Sequence, residues 1–166
     1  MDNADNRPEF YDGMERSLVV YDREKPPALV CEEDQKLVTV IKAVLNGMGF
    51  TAAGVSKVDE ALKYLRFHLY RIVVVNELFN CSDPADNQVK VCLLALPMSV
   101  RRQSLVILTG SRFESMNPLE AFQQSVDAVI NVAHMDDMGF IVKRTLDDQT
   151  GRYRIFQEYL RQAGRI

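Results

Sequence analysis

The sequence is poor in the residues that build metal and disulfide frameworks. Its 166 residues include only two histidines, and its three cysteines, Cys31, Cys81 and Cys92, form no CxxC pair. A structural zinc site needs four Cys or His ligands at close spacing, which this pattern excludes. An odd number of cysteines also argues against a disulfide framework. Cys31 and Cys92 lie within apolar runs, so we expect them to be small core residues.

Long hydrophobic runs are also absent. No apolar stretch approaches the ~20 residues that a membrane-spanning helix requires. Residues 1–6 are acidic and lack the apolar segment of a secretory signal. We therefore expect a cytoplasmic protein that makes no contact with a membrane.

Charge is modest and unevenly spread. The net charge is -3, with seven acidic and four basic residues in 1–27 and six basic and three acidic residues in 143–166. A basic tail can bind nucleic acid, but no basic patch interleaved with aromatics and no DNA-reading motif accompanies this one. We interpret the tail as a solvated helix face and expect no direct binding of nucleic acid.

The sequence does contain clear candidates for buried strands. Residues 72–75 are Ile-Val-Val-Val, and four β-branched apolar residues in a row are typical of a strand buried on both faces of a parallel sheet. With 47% hydrophobic residues, the chain can build a proper core for one domain. Four further apolar runs are predicted as strands, at residues 28–31, 50–55, 105–108 and 128–130.

Helical patterns alternate with these strands. After the first strand, six apolar positions recur with the spacing of an amphipathic helix: Leu37, Val40, Ile41, Val44, Leu45 and Met48. Ser56 is predicted to cap the next helix. Later helices are predicted over residues 87–96, from Pro118 to about 125, over 136–146, and as a separate helix over 153–162 after Gly151. Such alternation predicts an α/β domain whose parallel sheet is covered on both sides.

The predicted organisation has three parts. Residues 1–27 form an N-terminal extension with a short β-prone segment at 16–21 and a linker that ends in Pro26 and Pro27. The core domain is predicted over residues 28–146. Residues 147–166 form a C-terminal helical extension.

Residues 28–146 resemble the receiver domain of two-component response regulators. An acidic cluster, Glu32, Glu33 and Asp34, follows the first strand, and Thr109 and Gly110 follow the fourth strand. One helix ends in Gly-Met-Gly-Phe, and Val-Asp-Glu-Ala-Leu opens the second helix. The resemblance implies a flavodoxin-like (CheY-like) doubly wound sheet of five parallel strands in the order 2-1-3-4-5. To this core the chain adds the N-terminal extension and an extra C-terminal helix.

The resemblance also assigns site positions. Family receivers hold Mg²⁺ with acids after the first strand, phosphorylate an aspartate after the third, and contact the phosphoryl group through a hydroxyl and a lysine. Glu32 and Glu33 match the acids, and Thr109 matches the hydroxyl. Asn76 falls on the phosphoacceptor and Val132 on the lysine, so both of these groups are missing. An amide cannot replace a carboxylate nucleophile.

A degenerate receiver, or pseudoreceiver, is therefore the predicted class. Glu77 could become the acceptor only if a bulge re-aimed it, because neighbouring side chains of a strand point to opposite faces. Glu32 and Glu33 could still bind a divalent cation, but a solvated acidic loop is the preferred interpretation, and no cofactor is expected. His68 and His134 are interpreted as surface or loop residues, and no motif marks a nucleophile, so no enzymatic activity is expected.

The predicted function is protein–protein interaction in bacterial-type signal transduction, independent of phosphorylation. The partner is expected to be another protein, a second copy of this chain, or both, with a homodimer favoured. The alternative is a divergent receiver that senses a small ligand or divalent metal with Glu32, Glu33, Thr109 and Ser111. An enzyme on the same scaffold would rest on fold analogy alone.

Overall fold

A computed structural model describes residues 25–164, which form one five-stranded parallel sheet with helices on both faces. The strands are β1 (Pro27–Cys31), β2 (Thr51–Val55), β3 (Ile72–Asn76), β4 (Leu105–Gly110) and β5 (Ala128–Asn131). Their order in the sheet is β2-β1-β3-β4-β5, and every neighbouring pair is parallel. The predicted fold class and strand order are thereby confirmed.

Six α-helices connect and extend the strands within this range. They are α1 (Gln35–Gly47), α2 (Val58–Phe67), α3 (Gln88–Leu94), α4 (Met98–Arg101), α5 (Pro118–Gln123) and α6 (Met138–Gln162). Short 3-10 helices, Pro84–Asp86 and Val132–Asp137, precede α3 and α6. None of the helices within residues 25–164 is long and apolar enough to cross a membrane.

Alternation along the strands divides the core into two layers. Leu29, Val73, Val106 and Val129 face the layer that contains α2, α3 and α5, and their neighbours along the strands face the layer that contains α1 and α6. Since both faces of the sheet are covered by helices, the central strands are apolar at successive positions. This explains why residues 72–75 are all buried.

Helix α1 packs with a slightly different face than the spacing predicted. Val38, Ile41 and Leu45 are buried, whereas Val40, predicted to face inward, is 42% exposed. A Cβ on Gly54 would lie 2.6 Å from Cγ1 of Val38, so the missing side chain on β2 makes room for Val38. The close approach to Gly54 turns Val38 inward.

A second prediction, that Ser56 caps α2, is wrong. Lys57, and not Ser56, occupies the N-cap position, and no side chain of the cap residue bonds to the first turn. The Oδ1 atom of Asn80 instead accepts from the backbone N–H of Val58 at 2.8 Å. A residue from another loop thus satisfies the helix end, which is a long-range contact that local sequence rules do not include.

The C-terminal helical extension is present, but it is not a separate helix. Helix α6 runs without interruption from Met138 to Gln162, so the predicted gap around Gly151 and the predicted boundary at residue 147 both fall inside it. Glycine weakens a helix by only about 1 kcal/mol relative to alanine, which packing elsewhere on α6 can offset. Buried Gln149 anchors this part of the helix by accepting from Nη1 of Arg71 at 2.6 Å.

The predicted β-prone segment at residues 16–21 lies outside the described residues. The described chain enters the sheet at β1 through Pro26, whose carbonyl accepts from the backbone N–H of Thr51 at 3.0 Å.

Candidate functional site at the carboxyl edge of the sheet

The parallel strands end together at one edge of the sheet, called here the carboxyl edge. In the sheet register, Asn76 of β3 is paired with Thr109 of β4, and Gly110 of β4 is paired with Asn131 of β5. Glu32 follows β1 directly. In open parallel sheets the ligand sites lie at this edge, and the sequence placed its candidate residues here.

Asn76 and Glu32 are brought together by a direct hydrogen bond. The Nδ2 atom of Asn76 donates to Oε2 of Glu32 at 2.7 Å. The other carboxylate oxygen of Glu32, Oε1, accepts from the backbone N–H groups of Glu33 at 2.9 Å and Asp34 at 3.1 Å. Oδ1 of Asn76 accepts from the backbone N–H of Leu78 at 2.9 Å. Every side-chain oxygen of this pair therefore has a donor inside the protein.

Glu33 is separated from this pair. Its side chain is exposed, and Oε2 accepts from the backbone N–H of Asn80 at 3.1 Å. Asn80 has φ = 52°, a left-handed conformation that asparagine tolerates better than most residues. Its Nδ2 atom donates to the carbonyl of Ser56 at 3.0 Å. Asn80 therefore ties together the loops that follow β1, β2 and β3.

This donor set does not fit a magnesium ion. Mg²⁺ requires oxygen ligands in near-octahedral geometry, but both oxygens of Glu32 and the amide oxygen of Asn76 already accept hydrogen bonds. The Nδ2 atom of Asn76 lies beside Oε2 of Glu32, and it is a hydrogen-bond donor and not an oxygen ligand. Within residues 25–164, no group of three or more His, Cys, Asp or Glu could hold a metal ion.

Thr109 lies in the site as a buried and unbonded hydroxyl. The residue is 1% exposed, and its Oγ1 atom has no hydrogen-bond partner in the described chain. Its carbonyl accepts from the backbone N–H of Glu77 at 2.9 Å, so the pairing of β3 with β4 continues past Asn76 without a bulge.

Glu77 consequently does not approach the acids after β1. Its side chain is buried and forms an ion pair with Nε of Arg112, which belongs to the loop after β4. Buried Asn87 donates from Nδ2 to the carbonyls of Asn76 at 2.9 Å and Glu77 at 3.0 Å. Burial lowers the pKa of Lys90 and neighbouring Arg112 adds to that effect, whereas Glu77 opposes it.

Val132, predicted at the position of the family lysine, is not grouped with these residues. It lies one residue beyond β5, begins a 3-10 helix, and packs against the layer of α1 and α6. The polar side chain at the end of β5 is Asn131. Its Nδ2 atom donates to the carbonyls of Ser111 at 3.1 Å and Phe113 at 2.9 Å. The sequence contains no lysine between Lys90 and Lys143.

The two histidines lie at the surface. His68 ends α2 and is stacked edge-on beside Tyr70, with ring centroids 6.2 Å apart. His134 is exposed, and its Nδ1 atom is 3.4 Å from Oγ of Ser115. Ser115 also accepts from the backbone N–H of Asn131 at 2.9 Å, so its hydroxyl satisfies a backbone donor at the end of β5.

Sequence reasoning missed the asparagines that organise this edge. Asn80, Asn87 and Asn131 each join two or more loops, and together with Asn76 they supply both donors and acceptors. A side-chain amide carries both functions, so a set of amides can satisfy a polar site without any ion. The available signal was an asparagine at the end of each of the strands β3 and β5 and at the start of α3.

Comparison with solved structures identifies the class of fold. A receiver domain from Francisella, response regulator 1452, is 18% identical with a TM-score of 0.57, over 75% of this chain and 98% of that chain. An orphan response regulator of H. pylori is 17% identical with a TM-score of 0.56, over 75% and 98%. The receiver domain of a histidine kinase from Syntrophus aciditrophicus is 18% identical with a TM-score of 0.58, over 74% and 91%.

The chain therefore has the CheY-like fold of response regulator receiver domains. No protein-family model matches the sequence, and no curated protein is significantly similar to it. At identities below 20% the likeness concerns the fold, and the chemistry of the site must be argued from the residues that this chain places there.

Proposed function

We propose that the chain is a pseudoreceiver of bacterial-type, cytoplasmic signal transduction that works without phosphorylation at the end of β3. The observation that supports this proposal is the 2.7 Å hydrogen bond from Nδ2 of Asn76 to Oε2 of Glu32. An amide nitrogen is not a nucleophile toward a phosphoryl group, and here its proton is already shared with a carboxylate. The same contact occupies the position in which a receiver would hold its metal ion.

The surrounding residues support the same conclusion. Phosphoryl binding would call for a cation at Val132, which is uncharged, and the polar residue beside it at the end of β5, Asn131, carries a neutral amide. Glu77, the acid that directly follows β3, forms an ion pair with Arg112. We propose that the domain has no enzymatic activity, and that its output depends on the surfaces it presents to other proteins.

Incubation with acetyl phosphate and Mg²⁺ tests this proposal by intact-protein mass spectrometry. We expect no acyl phosphate, that is, no mass increase of about 80 Da that is lost on hydroxylamine treatment. A receiver with an intact aspartate, treated in parallel, is the positive control. Phosphorylation of any aspartate or glutamate near the carboxyl edge would contradict the proposal.

Self-association is the interaction that we propose first. On α5, Leu119 is 63% exposed and Phe122 is 81% exposed. Phe122 borders a groove of about 770 Å³ between α5 and α6 whose opposite wall carries Arg144, Asp148 and Arg152. Large exposed apolar side chains beside a groove are typical of interaction surfaces.

Sedimentation of the full chain tests this interface. We expect the wild type to sediment as a dimer and Phe122→Ser to sediment as a monomer. Phe67→Ser is a matched control, because Phe67 is an exposed phenylalanine at the end of α2 that does not line this groove. A wild-type monomer at every concentration would contradict self-association. Loss of the dimer in both variants would contradict the assignment to α5.

One observation favours the alternative, a domain that senses a small ligand. The Oγ1 atom of Thr109 is buried with no partner among the described residues, and unpaired buried hydroxyls are uncommon in native proteins. A thermal-shift screen of nucleotides and divalent metals tests it, since a ligand that binds the native state must raise the melting temperature. No shift with ligand in large excess would contradict this alternative.

A further inference from the structure

The loop between β4 and α5 is held from two opposite sides by residues at the ends of β3 and β5. We define the clamped loop as residues 111–117. On the β5 side, Nδ2 of Asn131 donates to the carbonyls of Ser111 and Phe113. On the β3 side, the carboxylate of Glu77 accepts from Nε of Arg112. Three consecutive residues of the loop are thus bonded to side chains at the ends of the two strands that flank β4.

The contact of Glu77 depends on the absence of a side chain at Gly110. A Cβ on Gly110 would lie 2.5 Å from Oε1 and 2.9 Å from Cδ of Glu77. Glu77 is 4% exposed, and a carboxylate so buried requires a charged or hydrogen-bonding partner. The guanidinium of Arg112 provides it while stacking 4.7 Å from the ring centroid of Phe113. Phe113 in turn is buried in the core.

The clamped loop also determines where α5 begins. Oδ1 of Asn117 accepts from the backbone N–H groups of Leu119 at 3.0 Å and Glu120 at 3.2 Å. Oε2 of Glu120 accepts from the backbone N–H of Glu114 at 2.8 Å. The backbone N–H of Met116 donates to the carbonyl of β5 residue Val129 at 3.0 Å. Because the first turn of α5 is bonded to the loop, a shift of the loop would shift α5.

We propose that Asn131 and Glu77 are positioning residues which form a built-in clamp that holds the loop at 111–117 and α5 in one position without any phosphoryl group. The inference rests on the proposed function and extends it, because it says how an unphosphorylated domain presents a single α5 surface. The amide of Asn131 and the ion pair of Glu77 restrain the loop at 111–117. A bound ligand would otherwise have to provide these restraints.

The two roles of Asn131 can be separated by substitution. Its Oδ1 atom accepts from the backbone N–H of Ala133 at 2.9 Å, and its Nδ2 atom makes the two bonds to the loop. Asn131→Asp keeps an acceptor for Ala133 but removes both donations. Glu77→Gln keeps an oxygen for Arg112 but removes the charge.

Hydrogen–deuterium exchange of the full-length protein tests the proposal. In Asn131→Asp we expect the amides of residues 111–123 to exchange about tenfold faster or more, as loss of two hydrogen bonds implies, and faster still in the double variant with Glu77→Gln. The amides of α1 and α2 should be unchanged. Asn46→Asp is the matched control, because Oδ1 of Asn46 only accepts, from the backbone N–H of Ala52 at the opposite edge of the sheet.

Two results would overturn the clamp. One is that the amides of residues 111–123 exchange at the wild-type rate in Asn131→Asp. The other is that the exchange rates of α1 and α2 rise as much as those of residues 111–123, which would indicate global destabilisation. Neither result bears on phosphorylation. Conversely, phosphorylation by acetyl phosphate would overturn the proposed function. Hydrogen exchange in the unphosphorylated variants would still decide whether the clamp exists.

Discussion

Asn76 donates a hydrogen bond from Nδ2 to Oε2 of Glu32 over 2.7 Å, joining the ends of β3 and β1. Because Oε1 of Glu32 accepts from two backbone N–H groups, its carboxylate is stabilised entirely by the protein. With an amide at position 76, this edge carries one carboxylate fewer, and both oxygens of Glu32 accept hydrogen bonds from the protein. The amide of Asn76 therefore decides the charge and the hydrogen bonding of the carboxyl edge.

Asn76→Asp should destabilise the protein by about 2–4 kcal/mol at neutral pH, because two carboxylates would lie at hydrogen-bond distance without a proton between them. Added Mg²⁺ should recover part of the loss, since the variant supplies a second carboxylate ligand. Urea denaturation with and without Mg²⁺ measures both effects. The wild type, which lacks that ligand, should show no such dependence, and a variant as stable as the wild type without Mg²⁺ would contradict the prediction.

Gly110→Ala should cost about 1–3 kcal/mol, because the new Cβ would overlap the buried carboxylate of Glu77. The cost should be smaller in a Glu77→Ala background, in which the overlapping atoms are gone. Chemical denaturation of the two single variants and the double variant gives the coupling free energy. Additive effects would show that Glu77 does not restrict residue 110.

Gly151→Ala should stabilise the protein by up to about 1 kcal/mol. The residue lies inside α6, is exposed, and a Cβ there would meet nothing within 4 Å. Gly49→Ala is the opposing control, because Gly49 has φ = 93° and alanine would be strained there. Thermal denaturation checks both variants. A destabilised Gly151→Ala would argue against a continuous helix through this position.

The three cysteines should react with iodoacetamide in a fixed order at pH 8. Burial raises the pKa of all three thiols, to about 11 for Cys92 and well above its usual range for Cys31. Since the thiolate is the nucleophile, a raised pKa slows alkylation. Cys81, which is the least buried, should react first, Cys92 more slowly, and Cys31 only on unfolding. Peptide mass spectrometry gives the order, and early labelling of Cys31 would contradict the packing of β1.

The core elements were predictable because their signals are local. Uninterrupted apolar runs such as residues 72–75 indicate strands buried on both faces, and their alternation with amphipathic helices is sufficient for a parallel α/β sheet. The strand order was predicted from the resemblance to receivers, and the observed order β2-β1-β3-β4-β5 agrees with it. The position of Asn76 at the end of β3 was also readable from the sequence.

Predictions failed where a contact distant in sequence decided the outcome. Ser56 does not cap α2, because Asn80 reaches the helix end from the loop after β3. Gly151 does not interrupt α6, because Gln149 and Phe156 hold the helix through Arg71 and Arg102. Val40 does not face inward, because Gly54 admits Val38 instead.

The sequence by itself determined which groups the carboxyl edge contains: two glutamates after β1, an amide instead of an acid on β3, and no lysine near β5. Only the tertiary structure decided what those groups do. It bonded Asn76 to Glu32, paired Glu77 with Arg112 across Gly110, and aimed Asn131 at the loop after β4. Residue identity sets how many donors and acceptors a site has, whereas their pairing depends on distances of about 3 Å that arise only when the strands assemble.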